Sequence, residues 1–219
     1  VKAVQKCRVK EIDWTGRQVY VGVDLSMTND NTSVSFLAEE DGKLYAESLA
    51  FIPEGRIDEK NSSEKTDYRL HVAHGNCIAC GDLTIDYAVV EKFVFDIEEK
   101  YGVKIMAIGF DRYNALSSAQ KWDEKYNTVE IKQHSSVLHP PTKLLYEKIM
   151  GGEFAYTDNK LLEINFQNAR CTFDTNMNRY VNKKKSNGKV DMVVSLINAL
   201  YLLQQDVILN PFTFVSQVV

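Results

Sequence analysis

Two apolar runs of the kind found in buried strands each end in an aspartate. Residues 19–23 (VYVGV) are followed by Asp24, and residues 103–110 (VKIMAIGF) are followed by Asp111. Short runs of β-branched and aromatic residues suit strands that are packed on both faces of a sheet. A carboxylate at the end of such a strand is costly unless something neutralises it, so we expect each aspartate to be paired or to bind a ligand.

A third aspartate opens the most apolar segment of the chain, residues 191–203 (DMVVSLINALYLL). Because the carboxyl ends of adjacent parallel strands meet at one edge of a sheet, we expect Asp24 and Asp111 to lie side by side, with Asp191 completing the cluster. Three clustered carboxylates repel one another unless divalent cations neutralise them. Oxygen ligands alone favour Mg²⁺ or Mn²⁺ over zinc.

A purely structural interpretation exists for each acid taken alone. Asp191 can cap or complement the start of its helix, and Asp111 can begin a turn. The structural interpretation does not explain why two buried-type strands both end in an acid and a third acid opens an apolar helix. The combination therefore favours a metal site.

The periodicity predicts one α/β domain over residues 1–219, with a core at about 18–205, a lead-in at 1–17 and a tail at 206–219. The predicted fold is a mixed sheet flanked by helices, in which an antiparallel three-strand meander is joined by parallel strands. The predicted strands are residues 18–25, 32–38, 43–52, 103–110, 128–132 and 153–157, with further strands within 171–182. The predicted helices are residues 86–101, 113–126, 141–150, 160–169 and the segment from 191. Asp41-Gly42 is a hairpin signal, and residues 54–67 are predicted to be an exposed loop.

Composition and charge are those of an ordinary globular protein, with 44% hydrophobic residues, 26% charged residues and a formal net charge of −4. We expect an intracellular protein, because no signal-peptide pattern and no run of roughly 20 apolar residues is evident. The chain begins with Val1, which suggests an excerpt from a longer polypeptide. Positive charge is concentrated within eleven residues, which form either a solvated loop or a DNA-facing patch: Arg179, Lys183, Lys184, Lys185 and Lys189.

A second possible metal site is the segment HVAHGNCIAC, which places His71, His74, Cys77 and Cys80 at steps of three. Structural zinc sites usually split two ligand pairs across a longer loop, so four ligands within ten residues are sterically awkward. Free thiols in a strand are the preferred interpretation.

The order of elements and the positions of the three acids resemble the ribonuclease H-like nuclease fold. Four segments resemble more closely the nuclease domain of the large terminase subunit of tailed bacteriophages. They are VGVDLSMTNDNTSVSF, TIDYAVVEKFV, IGFDRYNA and GKVDMVVSLINALYLL, and the resemblance runs from about residue 18 to 205.

The resemblance implies that Asp24, Asp111 and Asp191 hold two Mg²⁺ or Mn²⁺ ions that hydrolyse a phosphodiester bond, with Asp24 as the bridging ligand. Asp30 is a candidate further ligand, although its surroundings are also an ordinary turn composition. The lysine-rich loop just before Asp191 would contact double-stranded DNA, with Arg112 and Arg179 as further candidates for phosphate contacts.

By the same resemblance, the partners would be double-stranded DNA, a terminase ATPase domain, the small terminase subunit and the portal, in the cytoplasm of an infected bacterium and without a membrane. The sequence contains no G-x-x-x-x-G-K-[ST] phosphate loop, so the chain would correspond to the nuclease part alone.

Three other interpretations remain open. The stretch GVDLSMTN resembles the phosphate loop of actin-like and sugar-kinase ATPases, but Ser26 stands where such loops need glycine. A resolvase or transposase core would use the same acids on another DNA structure. A non-catalytic DNA-binding or assembly module would use the acids only as caps.

Overall fold

The structure is a computed structural model that describes residues 1–26 and 31–209, with only the backbone for residues 113 and 114. The strands are β1 (Gln18–Asp24), β2 (Thr32–Glu40), β3 (Lys43–Ile52), β4 (Cys77–Ala79), β5 (Lys104–Phe110), β6 (Thr128–Glu130), β7 (Phe154–Tyr156), β8 (Cys171–Phe173) and β9 (Arg179–Val181). The helices are α1 (Lys2–Lys6), α2 (Ile57–Glu64), α3 (Tyr68–Ala73), α4 (Tyr87–Tyr101), α5 (Arg112–Asp123), α6 (Ser135–Gly151), α7 (Lys160–Asn168) and α8 (Asp191–Leu209). Short 3-10 turns span Glu54–Arg56 and Lys183–Lys185.

The main sheet has the order β4-β3-β2-β1-β5-β6, and β7 also pairs with β3. Strands β1, β2 and β3 form the predicted antiparallel meander, and Asp41 and Gly42 turn between the last two with φ values of 51° and 76°. Strand β5 is parallel to β1, and β6 is parallel to β5. Strands β8 and β9 form a separate antiparallel hairpin. The predicted mixed sheet flanked by helices is confirmed.

Each face of the sheet carries its own hydrophobic core, because successive side chains of a strand point to opposite faces. Val21 and Val23 belong to the core that α4 and α5 cover. Tyr20 belongs to the core that α6, α7 and α8 cover, so Gly22 and Asp24 share the α8 face. The strand pattern therefore directs the first aspartate toward the helix that begins with Asp191.

Two paired glycines let α8 lie directly on the centre of the sheet. Gly22 of β1 is in register with Gly109 of β5. A Cβ at Gly22 would lie 2.0 Å from the Ser195 carbonyl oxygen and 2.4 Å from the Ala199 nitrogen, and one at Gly109 would lie 3.0 Å from Leu202 Cδ1. No larger residue fits at Gly22 unless the helix moves. This close approach sets the height of α8 above the strands that carry Asp24 and Asp111.

Helix α8 is long and apolar enough to cross a membrane by length and composition, but 61% of that stretch is buried within the protein. Its buried side chains include Leu196, Ala199, Leu200 and Leu203, which pack on the sheet. The apolar character of α8 is accounted for by the core of the domain itself.

Two element predictions are wrong. The predicted loop at 54–67 contains α2. Only Ile57 and Lys60 of this helix are buried, so its sequence has no apolar periodicity from which a helix could be predicted. Helix α6 begins at Ser135 rather than at 141, so Pro140 and Pro141 lie inside it. Proline removes a backbone donor but its fixed φ is compatible with a helix, and here the segment continues through both prolines. The lead-in contributes to both cores, since Val4, Cys7 and Trp14 are buried.

Candidate metal centre

Asp24 is the last residue of β1 and is 6% exposed, on the face that α8 covers. In the parallel pair of β1 and β5, Val23 is in register with Phe110, so Asp24 and Asp111 are the next residues along the two strands. Asp111 is half-buried. The fold therefore brings the two strand ends to the same edge of the sheet, as the sequence predicts.

Asp191 is the first residue of α8 and is 2% exposed. The start of the helix is fixed by Asn165 of α7, whose side-chain oxygen accepts a hydrogen bond from the Met192 backbone N–H at 3.1 Å. Asn168 of the same helix donates its amide N–H to the Lys189 carbonyl oxygen at 3.1 Å. These two asparagines hold the segment that leads into α8.

One ammonium group joins the two buried acids. Lys183 Nζ lies 2.6 Å from Asp24 Oδ2 and 3.5 Å from Asp191 Oδ1. The lysine belongs to a 3-10 turn whose N-cap is Asn182, which accepts a hydrogen bond from the Lys185 backbone N–H. Oxygens of Asp24 and Asp191 therefore both lie within 3.5 Å of the same cation, although the two residues are far apart in the sequence.

The two buried acids suit a hard divalent cation. Their donors are carboxylate oxygens, and Mg²⁺ is commonly bound by one or two carboxylates together with water and substrate phosphate. Within residues 1–26 and 31–209, no three His, Cys, Asp or Glu side chains are gathered closely enough to form a complete metal-binding group. The triad of Asp24, Asp111 and Asp191 as joint metal ligands stays a prediction, and Asp30 lies outside the described residues.

A cleft of about 430 Å³ opens at this edge of the sheet, lined by both Asp24 and Asp111. Gln133, Tyr180, Asn182 and Lys183 are among its other lining residues. The sequence pattern does not single out Gln133, Tyr180 or Asn182, because none of them belongs to a charged or metal-ligating motif. Tyr180 lies in β9, Asn182 directly follows it, and Gln133 lies three residues after β6.

A buried amide supports the strand that carries Asp24. Asn198 of α8 donates its side-chain N–H to the Val23 carbonyl oxygen at 3.1 Å, and its own oxygen accepts from Gln133 Nε2 at 3.3 Å. Asn198 is fully buried. The contact links α8, the end of β1 and a residue in the segment after β6, so it connects three elements that border the cleft.

The predicted DNA-binding lysines separate into two groups. Lys184 and Lys185 are exposed on the same turn as Lys183, and Lys184 also lines the cleft. Lys189 is only 20% exposed in its side chain and lies 3.9 Å from Glu64 of α2. The turn therefore presents Lys184 and Lys185 to solvent beside the acids, whereas Lys189 faces a neighbouring carboxylate.

The two arginines predicted as further phosphate contacts differ in their exposure. Arg112 is exposed at the start of α5, directly after Asp111. The Arg179 guanidinium carbon lies 4.6 Å from the Tyr146 ring centroid and 5.4 Å from that of Phe173. Arg179 is thus stacked between two aromatic rings and is less accessible than Arg112.

The two cysteines of the second candidate site pack in opposite cores, and its two histidines lie in α3 and at the C-cap of that helix. His71 belongs to α3, and Cys77 of β4 packs in the core on the α8 side. Cys80 packs in the opposite core. Burial raises the pKa of the Cys77 thiol and lowers that of His71. All four cysteines of the chain are free thiols. Cys77 lies in strand β4, in line with the interpretation as free thiols in a strand.

The fold is that of a ribonuclease H-like nuclease domain, and comparisons with known proteins place the chain within that class. The family model described as "Terminase large subunit, endonuclease domain" matches residues 1–206. The chain belongs to this family.

Individual relatives are distant in sequence. The terminase large subunit of Lactococcus phage SK1 is 24% identical over 194 residues, which are 86% of this chain and 36% of that protein. The chain thus spans little more than a third of the length of that relative. The crystal structure of the HK97 bacteriophage large terminase has a TM-score of 0.83 at 21% identity, over 92% of this chain and 42% of that one. The large terminase nuclease from thermophilic phage G20c with bound magnesium has a TM-score of 0.56 at 15% identity, over 90% and 94%.

Proposed function

We propose that this domain is a metal-dependent endonuclease that cuts double-stranded DNA during phage genome packaging. The single observation that carries the proposal is the pairing of two buried carboxylates, Asp24 and Asp191, around one cation at the mouth of a cleft that Asp111 also lines. A pair of buried carboxylates is costly for stability, whereas a site for hard cations requires such oxygen donors.

Asp24 and Asp191 would hold the metal from opposite elements, one from the sheet and one from the covering helix, and Asp111 would complete the ligand set from the cleft wall. A bound pair of Mg²⁺ or Mn²⁺ ions would supply an activated water and stabilise the leaving 3′ oxygen. The magnesium in the related G20c nuclease supports the choice of ion class.

The exposed lysines of the turn would hold the DNA backbone. Lys184 and Lys185 stand beside the acids, and Arg112 stands on the other side of Asp111. Contacts of lysine and arginine to phosphate position a duplex without reading its sequence. The domain would therefore cut where other components of the packaging machine direct it. By its family, these would be an ATPase domain, the small terminase subunit and the portal, acting in the cytoplasm of the infected host.

The experiment is cleavage of supercoiled plasmid by the purified domain, with Mn²⁺ or Mg²⁺ and with EDTA as the metal-free control. Asp24→Asn keeps the shape of the side chain and removes its charge, and we expect it to lower the cleavage rate by about a hundredfold or more. Asp82→Asn, at an exposed loop position, is the matched control and should cut as the wild type does. Cleavage that persists in EDTA, or in Asp24→Asn, would contradict the proposal.

A further inference from the structure

Lys183 lies where a divalent cation would bind. Its Nζ is 2.6 Å from Asp24 Oδ2 and 3.5 Å from Asp191 Oδ1. A Mg²⁺ ion needs its oxygen ligands at about 2.0–2.1 Å, within the space that the ammonium takes up. Two cations this close repel strongly in a partly buried site. We propose that Lys183 is a built-in counter-ion that competes with divalent metal for Asp24 and Asp191 and must move out before the metal binds. This inference rests on the proposed function.

The lysine is placed so that its side chain can leave while its backbone stays. Its side chain is 40% exposed, whereas those of Asp24 and Asp191 are 8% and 4% exposed. The turn beneath it is anchored by the Asn182 backbone N–H, which donates to the Arg170 carbonyl oxygen at 2.9 Å. A lysine has a long flexible stem and a strongly hydrated head, so its ammonium can swing into the cleft mouth without moving the turn.

Competition predicts two opposite effects of removing the charge. Without metal, Lys183 compensates two buried carboxylates that would otherwise repel each other, so its loss should destabilise the metal-free domain. With metal, the same loss should strengthen ion binding, because no cation has to be displaced first. A lysine with a merely structural role would give the first effect without the second.

The test is Mn²⁺ binding to the domain without DNA, measured by isothermal titration calorimetry, together with thermal unfolding with and without Mn²⁺. Lys183→Met keeps the length of the side chain and removes its charge. Couplings between ligands of one protein are typically about 5- to 150-fold, and we expect Lys183→Met to bind Mn²⁺ about tenfold more tightly. Its Tm should be lower without Mn²⁺ and should rise more on Mn²⁺ addition.

Two controls separate this effect from a general change of charge. Lys104→Met removes a charge from an exposed lysine at the end of β5 opposite Asp111, and should leave Mn²⁺ affinity unchanged. Lys183→Arg keeps the charge and should stay close to the wild type. Unchanged or weaker Mn²⁺ binding by Lys183→Met, while the wild type still cuts DNA with Mn²⁺, would overturn this inference and leave the proposed function intact.

A second measurement uses the wild-type domain and does not depend on the folding of a variant. Acetylation of individual lysines by a mild reagent, read by mass spectrometry, reports how accessible each ammonium is. Mg²⁺ should raise the reactivity of Lys183 several-fold and leave that of Lys184 unchanged. Equal reactivity of Lys183 with and without Mg²⁺, at concentrations that support cleavage, would contradict the competition.

Discussion

At the scale of single residues, Asp24 and Asp191 are the described aspartates that the fold buries, at 6% and 2% exposure. Burying a carboxylate is strongly unfavourable unless a cation or several donors compensate it. Lys183 supplies one such cation. The positions of these charges are therefore costly for stability, and the proposed metal site would account for that cost.

A half-buried acid elsewhere in the sheet makes stability depend on pH. Glu47 of β3 accepts a hydrogen bond from the Thr157 hydroxyl at 3.1 Å, and burial raises its pKa to about 7. The folded state therefore binds a proton on the Glu47 carboxyl more tightly than the unfolded chain does. The stability that Glu47 gains from this proton is fully present below pH 4.5, and it is lost as the pH rises to about 7.

We therefore expect Glu47→Gln to reduce the loss of unfolding free energy between pH 5 and pH 7.5, measured by urea denaturation. Glu99→Gln, at an exposed position of α4, is the control and should follow the wild type. If the unfolding free energies of the wild type and Glu47→Gln change with pH in the same way, burial does not raise the pKa of Glu47.

At the scale of elements, the contact between β1 and α8 determines the geometry of the site. A Cβ at Gly22 would lie 2.0 Å from the Ser195 carbonyl oxygen, which is backbone and cannot rotate away. We expect Gly22→Ala to lower the unfolding free energy by about 3 kcal/mol or more, measured by chemical denaturation.

The matched control for that substitution is Gly151→Ala. Gly151 ends α6, and a Cβ there would lie 3.8 Å from Glu153 carbons, which is ordinary contact. Alanine is favoured over glycine in helices, so this variant should be neutral or slightly stabilising. Equal stability of Gly22→Ala and Gly151→Ala would contradict the close packing of α8 on the sheet.

The same scale shows which elements could be predicted from the sequence. Helix α4 has an apolar face and both of its end signals, since Asp86 accepts a hydrogen bond from the Ala88 N–H and Gly102 has a φ of 67°. Helix α2 offers neither signal. It is held by the Lys60–Glu64 ion pair at 2.9 Å and by Asn61, which accepts from the Tyr68 backbone N–H. The ion pair has the i,i+4 spacing of a helix but lies in a polar segment without an apolar face, and the Asn61 contact depends on how α2 packs against α3.

At the scale of the whole molecule, the aspartates could be predicted but their immediate partners could not. Asp24 and Asp111 follow from strand ends that lie in register, and Asp191 follows from the start of a buried helix. The position of Lys183 depends on how a turn without sheet or helix pattern folds back over the cleft. The sequence predicts a positive loop there but does not indicate which lysine meets the acids.

The lysines of this turn give a prediction for DNA binding by the intact domain. Each lysine that contacts a phosphate releases counterions from the DNA when the complex forms. Its loss should therefore make the negative slope of log affinity against log salt shallower by about 0.9. We expect Lys184→Met and Lys185→Met each to make this slope shallower. The slope is measured by fluorescence anisotropy with a labelled duplex and with Ca²⁺ in place of Mg²⁺. Lys104→Met, at the opposite end of β5, should leave the slope unchanged. A slope that all three variants share with the wild type would place the duplex elsewhere.

The most direct test of the account is the location of metal in a crystal of the domain soaked in Mn²⁺, found by anomalous diffraction. We predict an anomalous peak bonded to carboxylate oxygens of Asp24 and Asp191, within the cleft that Asp111 lines. Mn²⁺ bound only at other positions, with the Asp24 and Asp191 carboxylates free of metal at concentrations that support cleavage, would contradict it.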